Sequence, residues 1–190
     1  MTKILIFNGS PRKKGNTAAL IKECLRGMGE AGNEAEVFVL NKMKIKPCQF
    51  CDWCIKNSEL TCVKKDDMSE LYPKLLQSEV IVFAVPIFWF TVSAQMKLFM
   101  DRLYALHTKE GYALVNKKVA AIMVYGDDNV ERSGVNNAIG TMHDLFRYMR
   151  SENLGIVHGT AWAIGDAEKN NQLMSDVYNL GKKIEKNISK

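Results

Sequence analysis

KILIFNGSPRKKGNTAAL, Lys3 to Leu20, is the stretch whose reading decides the fold. An apolar run of strand length enters a turn of glycine and short polar residues, then a segment whose apolar positions fall at helical spacing. The run ILIFN is apolar throughout instead of alternating, which predicts an interior parallel strand covered on both faces. In TAALIKECLRGMGEA, which begins at Thr17, the residues Leu20, Ile21, Cys24, Leu25 and Met28 share one face, and Gly29 or Gly32 can end the helix. Cys24 belongs to that face and reads as a small buried hydrophobe.

The same alternation continues along the chain. EVIVFAV (79–85) and KVAAIMVY (118–125) are further buried strands, with AEVFVL (35–40) and LGIVHGTAWAI (154–164) as weaker ones. Helical patterns fall at DDMSELYPKLLQ (66–77, with Pro73 inside), SAQMKLFMDRLYAL (93–106, with Ser93 as N-cap), VNNAIGTMHDLFRYM (135–149) and KNNQLMSDVYNLGKKIEKNI (169–188). Strands alternating with helices imply right-handed crossovers and an α/β fold. The expectation is a flavodoxin-like, doubly wound, five-stranded parallel sheet of order 2-1-3-4-5 with helices on both faces, forming a single domain over residues 1–190 and carrying a cysteine-rich insertion at 46–65. In that order the ligand crevice lies at the carboxyl ends of the first and third strands, where the winding reverses.

Composition narrows the function classes. With 190 residues, 47% hydrophobic and 25% charged, the chain suits one ordinary core and is neither disordered nor coiled-coil in character. No run of eighteen apolar residues occurs and the N-terminus lacks a signal-peptide layout, so a soluble cytoplasmic protein is expected, with no membrane partner. The net charge of +5 is spread over scattered lysines and the tail GKKIEKNISK, without the arginine–aromatic patches of a nucleic-acid surface.

The two switch-point loops carry the unusual chemistry. GSPRKKGNT offers Gly9 and Gly15 for tight turns, and Ser10, Asn16 and Thr17 beside the free N–H groups of a helix start, with Arg12, Lys13 and Lys14 adding positive charge. This is a phosphate cradle, although neither a P-loop nor a GxGxxG turn. PIFWFTVSAQ places Phe88, Trp89 and Phe90 in a loop after the third strand, as a wall for a flat heterocycle, and YGDDNVERSG adds Tyr125 and Gly126 as a third edge. Cradle, wall and edge together suit FMN.

GSPRKKGNT, KKDDM and VPIFWFTVSAQMKLFMDR resemble the NAD(P)H-dependent FMN reductase family of flavodoxin-like proteins, over residues 3 to about 126. The resemblance implies that Ser10, Arg12, Asn16, Thr17 and Ala18 hold the FMN phosphate. Pro86, Ile87, Phe88, Trp89 and Phe90 would lie along the isoalloxazine ring, and Tyr125 with Gly126 would close the site. It further implies electrons drawn from NAD(P)H as co-substrate and passed to a small-molecule acceptor such as a quinone or flavin, in a homodimer or homotetramer. Lys97, Asp101 and Arg102 match a recurrent family segment, with a structural role at a helix end and a subunit interface.

PCQFCDWCIKNSELTC, residues 47–62, holds four of the five cysteines as C-x2-C-x2-C-x7-C. Disulfides do not suit a cytosolic chain. Zinc is chemically possible, while three cysteines at successive x2 spacings resemble the run around a [4Fe-4S] cluster, with Cys62 the local fourth ligand after Cys48, Cys51 and Cys54. The arrangement is similar to the iron-sulfur flavoprotein branch of the same family, which implies an electron carrier exchanging with a ferredoxin-like partner. A non-catalytic zinc or thiol-sensing module is the third reading. No triad, paired carboxylates or HExxH motif is present, which suits chemistry carried by a flavin and no catalytic side chain.

Overall fold

The computed structural model describes residues 3–109 and 111–188. Five strands, β1 (Ile4–Asn8), β2 (Glu36–Val39), β3 (Val80–Phe88), β4 (Lys118–Tyr125) and β5 (Glu152–Thr160), form a parallel sheet in the order β2-β1-β3-β4-β5. The order is the expected 2-1-3-4-5. Register runs straight across the centre, with Ile81 of β3 between Leu5 of β1 and Val119 of β4.

The long helices are α1 (Asn16–Gly27), α2 (Met68–Gln77), α3 (Ala94–Arg102), α4 (Val135–Tyr148) and α5 (Asn171–Lys186). Side chains alternate across a strand, so Leu5, Phe7, Ile81, Phe83, Ala121 and Met123 pack with α2, α3 and α4 through Leu71, Phe99 and Phe146. Their neighbours Ile4, Ile6, Val80, Val82, Ala120 and Ile122 pack with α1 and α5 through Leu20, Cys24, Val177 and Ile184. Both faces are therefore covered, and the continuous apolar runs of the sequence are the direct result. Cys24 lies in the second core, where burial pushes its thiol up to about 12. Among the described residues no helix is long and apolar enough to cross a membrane.

The first helical pattern stops at Gly29, φ 58°, as expected, and Glu30–Asn33 forms a separate turn of helix. Other boundaries differ from expectation, each for a local reason. β3 runs on to Phe88 and turns back through Trp89 and Phe90 into a two-residue antiparallel strand, Thr91–Val92, so the aromatic triplet is a strand end and a hairpin turn. β5 ends at Thr160, four residues early, because the carbonyls of Ala161 and Ala163 are taken by the Asn16 side chain at 3.1 and 2.9 Å. A short helix, Trp53–Asn57, forms inside the cysteine segment.

The two helices of the second face cross in backbone contact. A Cβ on Gly27 would lie 2.1 Å from the Tyr178 carbonyl oxygen, and one on Gly181 would lie 2.1 Å from that of Cys24. Gly181→Ala gains roughly 1 kcal/mol of helix propensity, but the clash is with rigid backbone and forces α1 and α5 apart. We expect a net loss of about 1–3 kcal/mol in a denaturant titration. Gly140→Ala in α4, whose Cβ would meet nothing within 4 Å, is expected to raise stability by roughly 0.5–1 kcal/mol.

Candidate functional site

Four strands end at one crevice. Beyond β1, the Asn8 side-chain oxygen accepts the Ser10 N–H at 2.9 Å and the Ser10 hydroxyl accepts the Arg12 N–H at 3.2 Å, which folds the turn back on itself. Ser10, Asn16 and Thr17 are buried there, while Arg12, Lys13 and Lys14 are exposed. The first N–H groups of α1 have no intrahelical acceptor and give this end of the crevice a positive potential.

A cleft of about 420 Å³ opens at these N–H groups. Ser10, Arg12, Gly15, Asn16 and Thr17 line its polar end; Pro86, Ile87 and Phe88 of β3, Val124 and Tyr125 of β4 and Gly126 just beyond it line the flanks. Ala18 sits half-buried one position further into the helix and does not line it. Trp89 and Phe90, 90% and 54% exposed, lie at the hairpin turn with φ of 44° and 69° and are not among the lining residues. The Phe90 carbonyl accepts the Asn137 side-chain amide at 3.1 Å, which fixes the turn to the start of α4.

The loop after β5 supplies a wall that sequence reasoning missed. Ala161, Trp162 and Ala163 line the cleft, and the Trp162 ring rests so closely on Gly126 that a Cβ there would lie 2.1 Å from it. The signal was available: TAWAI places a tryptophan after a fifth strand, but extending that strand to 164 hid the loop. Tyr125 stands beside His158, Oη to Nδ1 at 3.4 Å; burial raises the phenol and lowers the imidazole, so both are neutral at pH 7.

The cysteine segment is fastened at its neck. Asp66 accepts two hydrogen bonds from Arg102, at 2.5 and 3.2 Å, and the backbone N–H groups of Lys46 at 3.0 Å and Met68 at 3.1 Å. Arg102 also donates to the Lys46 carbonyl at 2.8 Å, and Asp67 accepts the Lys44 N–H at 2.7 Å. Both charged side chains are 1% exposed. Above this neck Cys48, Cys51, Cys54 and Cys62 line one small recess with Arg102 and Tyr104. Cys54 is buried, Cys62 partly so, and Cys48 and Cys51 are exposed. The Phe50 N–H donates to the Cys48 sulfur at 3.4 Å. Burial pushes the Cys54 thiol up, against hydrogen bonds from nearby backbone N–H groups that favour the thiolate.

A cleft with a helix N-terminus at one end and an apolar wall along β3 is the arrangement of a flavin mononucleotide site at a topological switch point. The sequence profile of the NADPH-dependent FMN reductases matches residues 2–168. The chain belongs to this family. An iron-sulfur flavoprotein of Methanocaldococcus jannaschii is 31% identical over 190 residues, covering 96% of this chain and 95% of its own. A second iron-sulfur flavoprotein of the same organism is 35% identical over 144 residues, 76% of this chain and 70% of its own. Among solved structures, the NAD(P)H:quinone oxidoreductase of Methanothermobacter marburgensis superposes with a TM-score of 0.73 over 98% of both chains at 16% identity, a likeness of fold.

As a member of the FMN reductase family the protein is an FMN-dependent oxidoreductase, and its cleft fits that cofactor: free helix N–H groups for a phosphate, apolar residues for a ring. The cysteine recess fits an iron-sulfur group in donor chemistry, with four cysteines among its lining residues and a buried Arg102 Nε–H that has no partner to donate to. It is not closed as a metal site, since no three His, Cys, Asp or Glu side chains among the described residues group closely enough to hold an ion.

The neck yields a stability prediction. Burial alone would raise the Asp66 carboxyl, but the Arg102 hydrogen bonds and charge, with the backbone donors, hold it below the ordinary range. A depressed carboxyl stabilises fully above its unfolded value of about 3.9 and loses that contribution as pH falls through the folded value. Arg102→Leu leaves Asp66 buried and unpaired and is expected to cost about 3–5 kcal/mol at pH 7. The gap to the wild type should narrow as denaturant titrations are taken to acid pH, first as the unpaired Asp66 of the variant protonates and then as the wild-type carboxyl does so at its lower folded value.

Proposed function

We propose that the cleft holds FMN with its phosphate against the N-terminus of α1 and its ring along Pro86–Phe88, and that the protein carries electrons from NAD(P)H to a small-molecule acceptor such as a quinone. The observation that carries this reading is the polarity of the cleft. Its phosphate end gathers Ser10, Thr17 and the first N–H groups of α1 under the exposed Arg12, and its ring end is built from Pro86, Ile87, Phe88 and Val124. Bound there, FMN supplies the hydride and single-electron chemistry. The chain's own residues bind and orient: Ser10 and Thr17 are neutral hydroxyls at the anion, and Tyr125, backed by the His158 imidazole, lines the ring end as an uncharged phenol. Tyr125 with Gly126 closes the site on the β4 side, and Trp89 and Phe90 stand at its rim. The exposed aromatic rim supports assembly as a homodimer or homotetramer.

A second reading concerns the cysteines. Four thiols lining one recess, a backbone N–H on the Cys48 sulfur and relatives described as iron-sulfur flavoproteins support a [4Fe-4S] cluster held by Cys48, Cys51, Cys54 and Cys62. A protein so equipped exchanges single electrons with a ferredoxin-like partner. Zinc in the same ligands is the competing occupant.

Protein purified without oxygen separates these readings. We expect a flavin spectrum with one FMN per chain, bleached by NADH or NADPH, and about four irons per chain. Cys54→Ala should lose the iron and keep the flavin. Stoichiometric zinc in place of iron would overturn the cluster, and colourless protein that takes up no added FMN would overturn the flavin site.

A further inference from the structure

Asn16 occupies the first position of α1, inside the cradle where a phosphate ligand belongs, but its side chain is already committed elsewhere. The amide nitrogen donates to the carbonyls of Ala161 at 3.1 Å and Ala163 at 2.9 Å, and the amide oxygen accepts the N–H groups of Gly165 at 3.1 Å and Ala167 at 3.3 Å. An amide has two donor hydrogens and one oxygen with two lone pairs, so this side chain is saturated. The arrangement also fixes its orientation, because two carbonyls stand on one side and two N–H groups on the other. Turning the Asn16 side chain toward a phosphate would break one or more of these bonds, and loss of the Ala161 bond would strip that carbonyl of its donor, while the Ala163 carbonyl keeps the Asp166 N–H at 3.1 Å.

What the four bonds hold is the cleft wall formed by Trp162. The β-ladder reaches its last bond at Ala161 N–H to the Tyr125 carbonyl, 2.7 Å, and the chain then leaves the sheet. Between that point and Ala167 the segment is also closed on itself by Asp166, whose carboxylate accepts the Ala163 N–H at 2.7 Å and whose own N–H donates to the Ala163 carbonyl at 3.1 Å. Trp162 lies inside the clasped segment, with its six-membered ring on Gly126 and 78% of its surface exposed. An indole fixed along one edge and open elsewhere, in a cleft already lined by Phe88, is a surface for a planar ring.

We propose that the side chain of Asn16 is a positioning group, not a phosphate ligand: its amide clasps segment 161–167 to the start of α1 and thereby holds Trp162 as a wall against which the flavin ring packs. The proposal rests on the flavin reading of the cleft and adds a residue pair to it. Phosphate end and ring wall become one unit, because the helix that offers its N–H groups to the anion also carries the clasp.

Riboflavin, which lacks the phosphate, separates the two roles. Flavin-stripped protein is titrated with FMN and with riboflavin, following flavin fluorescence, for the wild type, Asn16→Ala, the milder Asn16→Ser, Trp162→Ala and the Asn16→Ala/Trp162→Ala pair. Asn16→Ala is expected to weaken both ligands by a similar factor, about tenfold, and the double variant to bind no more weakly than Trp162→Ala alone. Weakening of FMN with riboflavin unaffected would make Asn16 a phosphate ligand and overturn the proposal, as would additive losses in the double variant. A second arm needs no flavin. The indole N–H resonance of Trp162, assigned by its loss in Trp162→Phe, should shift and broaden in both Asn16 variants of the flavin-free protein, and an unmoved resonance would sink the clasp. Wild-type protein that binds neither flavin would instead count against the flavin reading, with the resonance still deciding the clasp.

Discussion

Strand β1 is flanked by parallel neighbours on both sides and covered on both faces, and the rest of the molecule follows from that confinement. Its residues Ile4 to Phe7 are 0–1% exposed, alternately in one core and the other. A strand so enclosed has no lateral exit, so the chain must leave over the carboxyl edge of the sheet. It does so at Asn8, Gly9 and Ser10, directly into the start of α1. The neighbouring strand β3 leaves over the same edge toward the opposite layer, and the space between the two departures is the cleft. Site and sheet are thus a single consequence of burying β1.

Much of this was legible in the sequence because it depends on short-range pattern. Unbroken apolar runs in β1, β3 and β4 announced strands buried on two faces, and the glycines and short polar residues after β1 announced a helix start with free N–H groups. What escaped depends on partners far apart in the chain. The end of β5 is set by Asn16, about 145 positions upstream, and no local feature of HGTAWAI shows that its carbonyls have a donor elsewhere in the chain. The turn at Trp89–Phe90 was hidden for a related reason: two aromatic residues at positive φ contradict local preference, and the hairpin is held by the Thr91–Val92 pairing and by Asn137 from another element.

Asp66 shows the same limit from the other side. Within KKDDM it reads as an acidic residue at a helix start, and it does accept the Met68 N–H at the beginning of α2. Its larger role is visible only with Arg102 beside it. A buried ion pair adds little net stability over an apolar pair of the same shape, since desolvation offsets most of the attraction, so stabilisation alone does not account for it. Specification of geometry does: Asp66 and Arg102 together bind the backbone of Lys46 on both its N–H and its carbonyl, which fixes where the cysteine segment begins relative to where it ends.

Helix α3 connects that neck to the flavin cleft. At its N-terminus the Ser93 hydroxyl donates to the Gly9 carbonyl at 2.7 Å while accepting the Met96 N–H at 3.4 Å, so one side chain both caps the helix and grips the turn at the polar end of the cleft. At its other end Arg102 grips Asp66 and Lys46. The two grips lie at the N-cap and the last residue of a nine-residue helix, a span of about 13 Å at 1.5 Å per residue, and the Phe99 ring packs on Phe7 of β1 between them at 4.1 Å. A helix held at both ends and along its length cannot slide or rotate without breaking buried hydrogen bonds. The separation between the turn after β1 and the cysteine neck is therefore a rigid dimension of the subunit. Any group held by the cysteines is tethered to that neck, and its freedom to approach or leave the cleft of its own chain is confined to the sixteen-residue segment Pro47–Cys62.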